Sequence, residues 1–67
     1  MERFLKIKDN KGQKHLINLG HVEDITEDKR NGKPVGSIIE LREESIYVEY
    51  KLEYLEKVLW QSGSVVV

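Results

Sequence analysis

The chain contains no cysteine and no alanine. Without cysteine no disulfide can staple the fold and no thiolate zinc site can form, and nothing points to an oxidising compartment. Alanine is the strongest helix former. Its absence, beside six Ile, seven Val, seven Leu and three Tyr, tilts the composition toward pleated, half-buried surfaces. No apolar run approaches the roughly 20 residues that span a bilayer, so no membrane partner is expected. The segment Met1-Glu2-Arg3-Phe4-Leu5-Lys6 lacks the apolar stretch of a secretory signal, and a cytoplasmic location follows as the expectation. There is one proline and there are five glycines, and both types gather where the pattern reads as turns.

What is present is short and charged. The 67 residues carry 11 Lys and Arg against 12 Asp and Glu, for a net charge of −1. A chain of this size buries only about 60% of its unfolded surface. Ordering it costs roughly 1.5 kcal/mol per residue, about 100 kcal/mol in all. One domain over residues 1–67 with one small core is expected, supported by good local propensity or by association with further copies. The charge is uneven. Residues 1–15 carry Arg3, Lys6, Lys8, Lys11 and Lys14 against Glu2 and Asp9, whereas the remainder is acidic. The overall balance, with the acidic stretch 40–56, argues against a nucleic-acid partner.

Periodicity predicts a mainly β chain with one C-terminal helix, either a small SH3-like barrel or a curled antiparallel sheet. Strands are expected at about 3–8, 13–19, 23–27, 37–42 and 46–50. Leu5 and Ile7 oppose Lys6 and Lys8 in phase, and Asp9-Asn10-Lys11-Gly12 supplies a hairpin turn. The phase slips near Gly20-His21-Val22, which predicts a turn or bulge. Asp28 to Gly36 is polar and marked by Gly and Pro, and it reads as a loop. Ile39 and Leu41 point inward, and Ile38 falls on the opposite face. From Leu52 the period changes to nearly four, with Leu52, Leu55, Val58 and Leu59 forming a stripe. This predicts a helix over 52–61, ending before Gly63. The apolar tail 64–67 is expected to add to a sheet edge, within the chain or on a neighbour.

The run Leu16-Ile17-Asn18, Val22-Glu23-Asp24-Ile25, Ile38-Ile39-Glu40-Leu41, Ile46-Tyr47-Val48 and Leu55-Glu56-Lys57-Val58-Leu59 resembles the small bacterial proteins grouped with the flagellar protein FlbD, and similar small bacteriophage proteins. The likeness covers about residues 3–59. It implies a compact β-rich module that acts by binding, possessing no catalytic residue. The stretch 28–36 and the extension from Trp60 to Val67 depart from that pattern and weigh against a role in motility.

No constellation carries catalysis. His15 and His21 lack the i,i+4 spacing of a helical zinc pair, and with Glu23 and Asp24 they fall short of a closed ligand set. The serines sit in turn-like or terminal settings without a nucleophile elbow. No enzyme activity, metal or cofactor is therefore expected. Arg30 and Lys33 are cations in the 28–36 stretch, which is no P-loop because a strand follows it. With Arg42 for bidentate phosphate contact, Tyr50 or Trp60 for stacking, and His21, they form the candidate set for an anionic, nucleotide-like ligand. Ile38, Trp60, Val65, Val66 and Val67 are the candidate contacts between copies. The leading expectation is a non-enzymatic homo-oligomer that captures such a ligand where chains meet, in the manner of phage proteins that sequester a signalling nucleotide against host defence. A regulator that binds a host protein, as the FlbD likeness implies, is the second. A weak nucleic-acid binder is the third.

Overall fold

The computed structural model describes residues 3–61, in which the chain is mainly β with one C-terminal helix. Two antiparallel sheets are present. The first is a hairpin of β1 (Phe4–Lys8) and β2 (Lys14–Asn18). The second places β4 (Lys33–Leu41) between β3 (Val22–Arg30) and β5 (Ser45–Val48). Helix α1 (Leu52–Gln61) closes the described chain. Residues 64–67, and with them the expected edge strand, lie outside the described residues.

In the first hairpin Leu5 lies opposite Ile17 and Ile7 opposite His15, while Lys6 faces Leu16 and Lys8 faces Lys14. Alternation therefore sends Leu5, Ile7, His15 and Ile17 to one side and the lysines to the other. After β2, Leu19–His21 forms a single 3₁₀ turn. Asn18 caps it, its Oδ1 accepting from the Gly20 amide at 2.9 Å. The register of β3 on β4 then shifts between Val22 and Asp24. That is the expected phase slip, a turn followed by a bulge.

The expected loop over 28–36 is not one. β3 and β4 run on to Arg30 and Lys33 and meet through the two residues Asn31-Gly32, with φ of 54° and 76°. Both central residues are left-handed, as a type I′ hairpin turn requires, and Asn-Gly is the pair that tolerates it at least cost. Pro34 sits within β4 opposite Lys29, beside a second register shift between Asp28 and Lys29. β5 pairs only with residues 37–40 of β4, so Pro34 has no second neighbour strand needing its missing N–H. The other strand limits also differ. The third strand starts at Val22, the fourth ends at Leu41, and the fifth covers 45–48 and leaves Tyr50 in a bend.

The two sheets join end to end. Asp9 bridges to Val48, and the Asn10 amide donates to the Tyr47 carbonyl at 2.8 Å. The core lies on one side of the joined sheets. Ile7, Ile17, Ile39, Ile46, Val48 and Leu55 form one buried cluster, with Leu5, Val22, Ile25, Leu41 and Tyr50 packed against it. Helix α1 presents Leu55 and Leu59 to that core. The Lys51 carbonyl accepts from the amides of Tyr54 and Leu55 at the helix start. Ser37, expected in a turn-like setting, is instead fully buried inside β4, and its hydroxyl donates to the Tyr50 carbonyl at 2.7 Å. That bond ties the chain entering α1 to the central strand.

Candidate binding surface

The nominated ligand residues fall into separate places. Arg30 and Lys33 are directly opposite one another at the tip of the β3–β4 hairpin. Arg30 Nε donates to Asp28 Oδ1 at 3.4 Å. Arg42 follows the other end of β4. Nine residue steps at about 3.3 Å separate Lys33 from Arg42 along an extended strand, about 30 Å in all. One nucleotide cannot touch both within a single copy. The register that pairs Val22 with Leu41 brings His21 beside Arg42. The two line one open cleft with Leu41, Glu43 and Glu44. Two carboxylates on its rim offset the guanidinium, so the cleft alone attracts anions weakly.

The aromatic candidates also divide. Tyr50 is half-buried against the core and stacks on Tyr54, with ring centroids 5.5 Å apart and planes at 18°. One of its faces is therefore used within the chain. Trp60 is 55% exposed and lines a shallow depression on α1 with Glu53, Glu56, Lys57 and Gln61. Ile38 is half-buried and shares its row with Thr26 and Tyr47. Val65, Val66 and Val67 lie outside the described residues.

Two features escaped the sequence reading. Leu16 is 67% exposed and Phe4 51% exposed; both belong to the lysine-bearing phase of the first hairpin. That phase was legible in the alternation, but its lysines give it the pattern of a solvated face and mask its two apolar members. The second is a polar hub at Asp9. Its Oδ1 accepts from the amides of Lys11 and Gln13, each at 2.9 Å. Its Oδ2 meets His15 Nε2 at 2.8 Å, and the Asp9 amide donates to the Gln13 carbonyl at 2.9 Å. Six residues separate Asp9 from His15, and only the hairpin register brings them together. The hydrogen bond to His15, then the Gln13 amide and the Lys11 amide, hold the Asp9 carboxyl below its ordinary value of 3.8 against the opposing effect of partial burial.

A group whose folded pKa is depressed stabilises the fold above its unfolded pKa and loses that contribution as pH falls through the folded value. The melting-temperature gap between the wild type and Asp9→Asn should therefore be open at about pH 5 and narrow steadily below about pH 4. Thermal melts by circular dichroism check this. A gap that stays constant into the acid range sinks the assignment.

Among the described residues, no three His, Asp or Glu side chains come together as a metal cluster. No helix there is long and apolar enough to cross a membrane. No protein-family model, curated protein or solved structure matches the chain.

Proposed function

We propose that this chain is a non-enzymatic binding protein that acts as a homo-oligomer in the cytoplasm. The observation that carries the reading is its uncovered apolar surface. Among the described residues, Phe4, Leu16, Val35, Tyr47, Tyr54 and Trp60 are large apolar side chains left exposed, beside seven buried apolar residues in the core. Scattered single exposures are ordinary, whereas grouped ones mark contact surfaces. Phe4 with Leu16 and Ile38 with Tyr47 are grouped, each pair on one face of a sheet. Light scattering at rising concentration should give a mass that is a multiple of the 7.8 kDa chain. A lone chain mass at millimolar concentration refutes the reading. Assembly only in the presence of a bacterial host protein would favour the FlbD-like regulator instead.

The cleft of His21 and Arg42 favours a more specific form of the same reading, capture of a nucleotide-like anion between copies. The 30 Å separation along β4 means that Arg30 and Lys33 of one copy must approach Arg42 of another to enclose the ligand. A ligand at about a hundred times its dissociation constant adds about 2.7 kcal/mol to stability. For a domain of this size that raises Tm by roughly 10 °C or more. A thermal-shift series with cyclic nucleotides and ADP-ribose derivatives reads this directly. Arg42→Ala should abolish the rise, and the absence of any rise with the wild type removes nucleotide capture while leaving assembly standing.

A further inference from the structure

We propose that copies of this chain associate head to tail, the outer face of the β1–β2 hairpin of one copy seating on the outer face of the β3–β4–β5 sheet of the next. The inference rests on the homo-oligomeric reading above and specifies its interface.

The outer face of the hairpin is given by its register. Phe4 lies opposite Asn18, Lys6 opposite Leu16 and Lys8 opposite Lys14. Phe4 and Leu16 are diagonal neighbours, a spacing of about 7–8 Å that an aromatic ring bridges. They form an apolar centre with Lys6, Lys8 and Lys14 around it. Among the described residues, none of these three lysines belongs to an ion pair.

The outer face of the second sheet has the same layout with the opposite sign. Thr26, Ile38 and Tyr47 make one row across its three strands, and Asp24, Glu40 and Ser45 make the next. Ile38 and Tyr47 supply the apolar centre; Tyr47 is 41% exposed. Asp24 and Glu40 supply negative charge. Ser45 donates from its hydroxyl to Glu40 Oε2 at 2.6 Å, which holds that carboxylate on the face. Alternation along β4 and β5 assigns both rows to the side away from Ile39, Ile46 and Val48.

Charge selects the pairing. Two hairpin faces together would oppose lysine to lysine, and two sheet faces would oppose carboxylate to carboxylate. Only hairpin against sheet matches apolar centre with apolar centre and cation with anion. Such a contact joins two different surfaces, so it is heterologous and builds a ring or a filament in place of a two-fold dimer.

Two variants with exposed substitutions separate the faces. Lys6→Gln with Leu16→Asn disables the hairpin face; Asp24→Asn with Tyr47→Asn disables the sheet face. Each variant alone should sediment as a single chain at concentrations where the wild type is assembled. Their mixture should give a 1:1 species of twice the 7.8 kDa chain mass, because one competent face of each kind remains. Raising salt should weaken wild-type assembly, since exposed charges are screened. Circular dichroism confirms that both variants fold, and Lys6→Gln with Lys14→Gln, which keeps Leu16, repeats the hairpin arm by charge alone. A monomeric wild type overturns the homo-oligomeric reading itself. An assembled wild type with both variants still assembled, or with a mixture that stays monomeric, overturns only the head-to-tail pairing.

Discussion

Gly36→Ala should lower the melting temperature by about 10 °C or more, the largest loss expected from a single added methyl group. A Cβ at this position would collide with the backbone carbonyl oxygen of Val48 and stand 3.1 Å from both Glu49 Cα and the Val48 carbonyl carbon. These are main-chain atoms at the end of β5, and they cannot rotate away as a side-chain tip does. Relief requires β5 and the bend after it to move off β4. That motion pulls at the Ser37–Tyr50 hydrogen bond and at the pairing of Ser37 with Val48. Substituting alanine for glycine also restricts the unfolded chain, which stabilises by about 0.4–1 kcal/mol where the site accepts it. Overpacking of this kind costs about 1–3 kcal/mol and sometimes more, so the collision wins. The total stability of a chain this long is only about 3–10 kcal/mol. A thermal or urea melt measures the effect, and a loss below about 2 °C would show that the strands have room to part.

Ile39→Ala should cost about 2–5 kcal/mol, while Trp60→Ala should stay within about 0.5 kcal/mol. Ile39 has 0% exposure and stands at the middle of the central strand, opposite Ile25 on one side and Ile46 on the other. Removing its side chain opens a cavity against both neighbour strands, and the sheet hydrogen bonds prevent collapse into it. Trp60 is the larger residue, yet most of its ring faces solvent, and it lies outside the buried cluster. Size predicts the opposite order, so the pair tests burial against bulk. Measured on the same chemical-denaturation series at low protein concentration, comparable losses for the two would mean that Trp60 packs within the single chain.

The legibility of this fold followed the core. Where strands touch the buried cluster, as at Leu5, Ile7, Ile17 and Ile46, alternation locates their ends to within two residues, whereas the strand of Ile39 starts at Lys33, four residues before the expected position. The helix over 52–61 was legible for the same reason, since its leucine stripe has to face that cluster. The stretch 28–36 carried no alternation because its residues 29–35 are exposed on a two-stranded ribbon, where neither face is obliged to be apolar. Its true signal was the Asn31-Gly32 pair, which outweighs the polar composition around it. Fit with Pro34 depends on β5 stopping short, a fact of topology with no local trace. The binding residues were less legible than the fold. Arg30, Lys33 and Arg42 look close in sequence, but an extended chain turns nine residues into about 30 Å. Asp9 and His15 were legible only as separate polar residues, because register, and not spacing, sets their contact.

The seam between Asp9-Asn10 and Tyr47-Val48 gives the molecule a kinetic shape as well. The three strand pairings β1–β2, β3–β4 and β4–β5 all join neighbours in sequence, and local hairpins close within about 1–10 μs. The bridge from Asp9 to Val48 joins residues 39 positions apart, the costliest loop in the sheet pairing. Loop-closure cost therefore places this contact after the local hairpins in the expected order of folding. The Asp9 carboxylate accepts from the Lys11 and Gln13 amides in the turn at that seam, so Asp9→Asn should slow refolding in stopped-flow measurements, and an unchanged rate would show that the turn forms after the closure.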